Sequence, residues 1–164
     1  MYVIRKAMED DLHRLTEIYN CAIDAGYCTC DMDVFSKEER MPWFREHLND
    51  RFPIFVYEED GRVLGYSYLS SYRRGRKALR KVCEISYYID MDYRRQGIGS
   101  LLMEYTLQRV REIGFTTAIA VSLSCNEASI GLLKKYGFQQ WGMLPDAAEL
   151  KCGVHSQLYY GKKL

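Results

Sequence analysis

The sequence predicts an α/β fold built on a sheet of mixed strand direction, and three observations lead there. Residues 54–57 and 63–72 are rich in β-branched and aromatic side chains and flank Glu59-Asp60-Gly61, the signal of an antiparallel hairpin. Residues 83–89 read as a strand that runs through a glycine-bearing turn into Ile98, Leu101, Leu102, Tyr105, Val110 and Ile113, an apolar stripe at helical spacing. Residues 116–121 read as a buried strand after that helix, so the middle of the chain is a strand–helix–strand crossover, which joins parallel neighbours. A hairpin and a crossover in one chain require both pairing directions.

The elements follow in order. Residues 2–6 form a first strand. Met8-Glu9-Asp10-Asp11 then supplies capping and first-turn acids to a helix whose apolar face is Leu12, Leu15, Ile18, Tyr19 and Ala22. Gly26 stops it, and residues 27–34 are irregular. Ser36-Lys37-Glu38-Glu39 is a capping box that opens a second helix to about Leu48, with Pro42 set to bend or split it. After the hairpin and the crossover, Asn126 opens a helix through Tyr136. Residues 138–143 and 158–161 read as closing strands.

Length and composition limit the functions available. A chain of 164 residues that is 48% hydrophobic and 27% charged can build a globular core. A net charge of +1 gives no bulk reason to expect a nucleic-acid or membrane partner. The basic run Arg73-Arg74-Gly75-Arg76-Lys77 reads most simply as a solvated loop. No stretch is apolar and long enough to span a bilayer and no signal peptide is legible, so a cytoplasmic location is expected. The six cysteines include no C-x-x-C and no zinc-finger spacing, so the expectation is free thiols and no metal. Cys28-Thr29-Cys30 offers a soft metal two ligands, a weak site.

The turn at residues 94–100 carries the chemistry. The first amides of a helix lack partners and lie at the positive end of its dipole. Gly97 and Gly99 let a ligand approach the backbone, and Arg94 and Arg95 add positive charge. The turn suits a phosphate or pyrophosphate; a tight connection is the plainer alternative. It is neither a Walker A loop, since no Gly-Lys-Ser/Thr follows, nor a dinucleotide fingerprint, since that spacing fails at Met103.

The run Arg94-Arg95-Gln96-Gly97-Ile98-Gly99 resembles the R/Q-x-x-G-x-G/A signature of the GNAT acyltransferases. Asn126, Ser129 and Gly137-Phe138 resemble that family's second motif. The likeness extends over nearly the whole chain to the phosphinothricin and methionine-sulfoximine N-acetyltransferase branch. Ile18-Tyr19-Asn20-x-Ala22-Ile23, Thr29-Cys30-Asp31, Glu38-Glu39-Arg40 with Trp43-Phe44 and His47, and Gly142-Met143-Leu144 carry that extension. The resemblance implies a single domain over residues 1–164, with a mixed, mostly antiparallel sheet whose central parallel strands splay apart, flanked by helices. It implies acetyl-CoA as cofactor, a small-molecule primary amine as acceptor and, since the family is often dimeric, a homodimer. Tyr87, Tyr88 and Ile89 would present backbone groups to the pantetheine arm, with the Ile89 N–H polarising the thioester carbonyl. Arg94, Arg95, Gln96, Gly97, Ile98, Gly99 and Ser100 would surround the pyrophosphate, and Asn126 and Ser129 would meet the cofactor at the next helix.

Glu84 falls at the branch's proposed base. An aliphatic amine is mostly protonated near neutral pH and cannot attack a thioester until a base removes a proton. The other reading has Glu84 facing solvent or paired with Arg80 or Lys81, and strand alternation does not separate the two. On the acceptor side, Thr29 and Asp31 match the branch, and Arg73, Arg74 or Arg76 could bind a substrate carboxylate. The departures lie mostly on that side: Leu79 and Val82 replace Tyr and Thr, and the usual Trp and acid near His155 and Gln157 are absent. Leu133 stands where many members carry a Tyr or His, so no general acid is assigned, and Tyr136 reads as core. His13 and His47 read as surface or packing residues. The implied activity is acetyl transfer to an amino acid or analogue such as phosphinothricin or methionine sulfoximine. The alternatives are a protein lysine or N-terminal acetyltransferase, whose groove residues 145–159 would close, and a non-catalytic CoA-binding module, which Leu133 permits and Glu84 opposes.

Overall fold

A computed structural model describes all 164 residues. One seven-stranded sheet organises them, in the order β1-β2-β3-β4-β5-β7-β6. The strands are β1 (Tyr2–Lys6), β2 (Ile54–Glu59), β3 (Arg62–Ser71), β4 (Val82–Ile89), β5 (Thr117–Leu123), β6 (Gln139–Leu150) and β7 (Gly153–Lys163). Every neighbouring pair is antiparallel except β4 and β5. The mixed strand direction expected from the hairpin and the crossover is observed, and the mostly antiparallel pairing is the one the resemblance implied.

The helices divide between the two faces. On one lie α1 (Leu12–Ala25) and α2 (Lys37–Glu46), which bury Leu12, Leu15, Ile18 and Phe44 against Ile54, Val56 and Tyr66. On the other lie α3 (Ile98–Ile113) and α4 (Glu127–Lys135), which bury Met103, Leu107, Val110 and Leu133 against Cys83, Ile85, Ala118 and Ala120. Burial pushes the Cys83 thiol up to about 12, so it stays neutral there.

Local signals did what their chemistry predicts. Asp60 and Gly61 both take positive φ, 48° and 78°, as a two-residue turn twisted to match its strands requires. Ser36 and Glu39 form the reciprocal capping box of α2. Pro42 does not split that helix, which runs unbroken from Lys37 to Glu46. The capping box secures one end and buried Phe44 anchors the other, which offsets the bond that Pro42 cannot make.

The C-terminal hairpin corrects the sequence reading. Residues 144–157 are not a loop between short strands; β6 and β7 extend through them. The outer part of β6 buries only Ala148, so it lacks the inward alternation that marks a strand. Pro145 and Asp146 (φ 48°) sit where the register shifts between Leu144 and Ala148, a bulge that absorbs the proline.

Candidate active site

The site begins where the sheet comes apart. β4 pairs with β5 only at Val82–Thr117, Cys83–Ala118 and Glu84–Ile119, whereas β3 accompanies β4 as far as Ile89. Beyond Glu84 the β5-facing edge of β4 has no strand beside it. The Asp90 N–H donates to Leu64 O at 2.8 Å, which fixes the phase of the ladder. Even-numbered β4 residues bond to β3, so the Ile85 C=O and the N–H and C=O groups of Tyr87 and Ile89 point into the gap. Tyr88 is the exception among the three residues expected to offer backbone. Its carbonyl turns to β3, 3.2 Å from where a Cβ on Gly65 would stand.

Past the gap the chain turns sharply. The Asp90 carboxylate accepts from Asp92 N at 3.0 Å and pairs with the Arg14 guanidinium, fixing the exit from β4. Arg95 (φ 62°) and Gly97 (φ 85°) both occupy the left-handed region and reverse the chain into α3. Gly97 is the N-cap of α3 and has no side chain to cap it, nor is there an acid in the first turn. The ends of α2 and α4 are covered instead by Ser36 and Asn126. The α3 ladder begins with Leu101 N–H donating to Gly97 O at 3.1 Å, so the amides of Ile98, Gly99 and Ser100 lack intrahelical partners. Lys135 Nζ reaches Ser100 Oγ at 2.9 Å, adding positive charge beside them. Arg94 extends away to Tyr27 Oη (2.7 Å) and Cys28 Sγ (3.2 Å).

Gap and turn form one groove of about 390 Å³. Its walls include Tyr87, Tyr88, Ile89, Arg94, Arg95, Gly97, Ile98, Gly99, Ser100, Asn126 and Ser129; Gln96 is the one expected cofactor residue outside them. Tyr87 Oη and Ser129 Oγ lie 2.7 Å apart and tie β4 to α4. Burial pushes the Tyr87 hydroxyl up to about 12, so it remains protonated. Asn126 Oδ1 accepts from Ser129 N at 3.2 Å to cap α4, leaving the amide nitrogen for the groove. Ser122, which sequence reasoning did not single out, also lines the groove, and its buried Oγ has no protein partner. Unpaired strand edge, uncapped helix amides, nearby cations and an orphaned hydroxyl together fit the pantetheine arm and pyrophosphate of acetyl-CoA.

Glu84 projects onto the opposite face. Its neighbours Cys83 and Ile85 join the core under α3, so alternation turns Glu84 toward the face that α1 and α2 cover. Burial raises its pKa above the ordinary 4.5, and no cation offsets that shift. The pairing with Arg80 or Lys81 is not formed; both are exposed. Thr29 and Asp31 come together through Tyr19, whose hydroxyl donates to the Asp31 carboxylate and lies 3.0 Å from Thr29 Oγ1. Tyr19 meets Tyr88 edge-on at 4.9 Å. Beneath lies Arg40, 7% exposed, with its guanidinium 3.8 Å from the Trp43 ring centroid and 4.3 Å from that of Tyr19. This face therefore carries an aromatic cluster, Tyr19, Trp43 and Tyr88, with the Arg40 guanidinium packed against it.

Other expected residues lie elsewhere. Arg73, Arg74 and Arg76 are exposed outside the groove, on the loop between β3 and β4. Arg74 stands 3.6 Å from Glu46, a surface pair of little energetic weight. Leu133 is fully buried in the core. Tyr136 is half-buried and donates to Ser100 O at 2.8 Å. His13 is exposed beside Glu17, and His47 is buried, 2.7 Å from Trp43 O.

Residues 12–138 match the profile of the acetyltransferase (GNAT) family. The phosphinothricin N-acetyltransferase of Streptomyces coelicolor is 32% identical across 85% of this chain and 82% of its own. The L-methionine sulfoximine/L-methionine sulfone acetyltransferase of Pseudomonas aeruginosa is 31% identical across 89% and 85%. The crystal structure of a GNAT phosphinothricin acetyltransferase from Sinorhizobium meliloti in complex with acetyl-CoA superimposes with a TM-score of 0.93, at 28% identity over 99% of this chain and 88% of that one. On the split sheet, the uncapped turn and these likenesses, the chain belongs to the GNAT family of acetyl-CoA-dependent N-acetyltransferases.

Proposed function

We propose that this enzyme acetylates the primary amine of a small amino acid or analogue, with phosphinothricin and methionine sulfoximine as leading candidates. The observation that carries the reading is the placement of Glu84. It is a half-buried carboxylate without a cation, at the last paired residue before the sheet opens, on the face that carries the aromatic cluster. The relatives named for phosphinothricin and methionine sulfoximine support the substrate class.

When bound, acetyl-CoA supplies an acetyl thioester activated toward amines. The amides of Ile98, Gly99 and Ser100 would hold the pyrophosphate, with Arg94 and Arg95 on the groove wall beside them. Backbone groups of Tyr87 and Ile89 would hold the arm in the gap, and the Ile89 N–H would polarise the carbonyl oxygen. Asn126, Ser129 and Ser122 line the other wall. Glu84 takes the proton from the substrate ammonium, directly or through water, and the raised pKa makes it a more effective base. Thr29 and Asp31 would orient the acceptor. The acetyl group would pass directly to nitrogen, the amide C–N bond forming as the thioester C–S bond breaks, with CoA leaving as its thiolate and taking a proton from solvent or from the nitrogen, and with no covalent enzyme intermediate.

The β6–β7 hairpin disfavours an extended peptide. Cys152 Sγ donates to Gly26 O at 3.3 Å and Gln157 Nε2 reaches Cys30 Sγ at 3.9 Å, which walls the acceptor side. No helix is long and apolar enough to cross a membrane. A reducing cytoplasm suits the six free thiols. A homodimer would cover Trp141, Met143, Leu144 and Val154, all exposed on the hairpin. A thiol-release assay over free amino acids, their sulfoximine and phosphinic analogues and short peptides tests the reading. Release with the small amines and none with peptides is expected. Tight CoA binding without release for any amine would sink it.

A further inference from the structure

The fold gathers three metal-binding side chains that lie far apart in sequence. Cys125 sits in the corner between β5 and α4, Cys152 in the turn joining β6 to β7, and His155 on β7. The two sulfurs and an imidazole nitrogen all lie within 4.8 Å of one another. Ligand atoms around a tetrahedral ion, with bonds of about 2.0–2.3 Å, stand roughly 3.5–4 Å apart, so small side-chain rotations close the set. We propose that Cys125, Cys152 and His155 bind one soft divalent ion of the Zn²⁺ type, with the fourth position open to water.

The donor chemistry selects the ion. Two thiols and an imidazole suit Zn²⁺ and disfavour Mg²⁺ or Ca²⁺, which take oxygen ligands. Each thiol loses its proton to solvent on coordination, and the two thiolates balance the 2+ charge while the imidazole binds neutral. Without an ion, burial and the adjacent Cys152 raise the Cys125 thiol above its ordinary value; a bound cation reverses that preference. The location gives the site a consequence. Cys125 directly precedes Asn126, a groove residue, and Cys152 already touches Gly26, two residues before Cys28 on the groove wall. The ion would fasten the hairpin turn to the rim of the cofactor groove without entering it.

The test titrates reduced, metal-free protein with Co²⁺ and then Zn²⁺, without acetyl-CoA or substrate. One equivalent of Co²⁺ should give thiolate-to-cobalt absorption and tetrahedral d–d bands, and Zn²⁺ should displace it and raise the melting temperature. Cys125→Ser and Cys152→Ser should each remove part of the charge-transfer band, and His155→Ala should shift the d–d bands. Each should weaken binding by more than the roughly 10–100-fold typical of outer-sphere partners. Cys28→Ser and Cys30→Ser should change nothing in these spectra. Circular dichroism checks that every variant is folded; Cys152 is exposed and His155 half-buried, so neither change disturbs the core. Absence of a thiolate band in the wild type, or a band that persists without Cys125 and Cys152, overturns the proposal. So does one that follows Cys28 or Cys30. Acetyl transfer is not read at any point, so failure here leaves the enzymatic reading untouched.

Discussion

Replacing Glu84 by glutamine tests the proposed base with little change of shape. The structure sets two opposed effects. Burial alone raises the Glu84 pKa, with no cation compensating, so the charged form is the disfavoured one in the folded protein. A carboxyl whose folded pKa is raised contributes its full share of stability below its unfolded pKa. That share is lost as pH rises through the folded value. Above both pKa values the wild type bears the burial of a charge, and there Glu84→Gln should melt at the same temperature or higher. Catalysis should move the other way. Loss of a positioned general base costs about 10²–10⁴-fold in turnover, or roughly 2.7–5.4 kcal/mol of barrier.

The assay is kcat and kcat/KM against pH by thiol release, with acetyl-CoA affinity measured separately by calorimetry. The wild-type profile should rise with pH through a limb above the ordinary 4.5 of glutamate. In Glu84→Gln that limb should vanish and the residual rate should climb only as the free amine itself deprotonates. Acetyl-CoA binding should hold, because Glu84 faces away from the groove. A variant with wild-type kcat, or with the same acid limb, would refute the reasoning and return Glu84 to a packing role.

Three further outcomes follow from particular contacts. Gly97→Ala places a side chain at φ 85°, so it should cost about 1–2 kcal/mol of stability and weaken acetyl-CoA binding; unchanged denaturation and calorimetry would mean that the turn tolerates another path. Leu133→Ala removes a fully buried side chain between α4 and the sheet, and urea unfolding should show a loss of about 2–5 kcal/mol, whereas a surface role would show almost none. Burial lowers the pKa of His47 despite its bond to Trp43 O, so its contribution to stability is present above the unfolded value of about 6.5 and is lost as pH falls below that. The melting temperature should drop on acidification through that window, and His47→Gln should flatten the drop.

What the sequence disclosed and what it concealed divide by the range of the forces involved. The capping box at Ser36, the left-handed stop at Gly26 and the Asp60-Gly61 turn are decided within four or five residues, and each formed as read. The turn around Gly97 was legible for the same reason, since an uncapped helix end is a local property. The face of Glu84 was not, because a central strand covered on both sides carries apolar residues at both parities, and only the packing of Cys83 and Ile85 under α3 fixes it. Ser122 fell just past the strand read at residues 116–121 and drew no notice; its unpartnered hydroxyl lines the groove that opens where β4 leaves β5 after Glu84. Cys125, Cys152 and His155 gave no spacing signal because a hairpin of more than twenty residues folds back to bring them together. The site depends on that parting of two parallel strands, and no window of sequence contains it, since it is a relation between residues 85–89 and 120–123. The motif reports the helix end that borders the gap, and the gap itself follows from which strands remain paired.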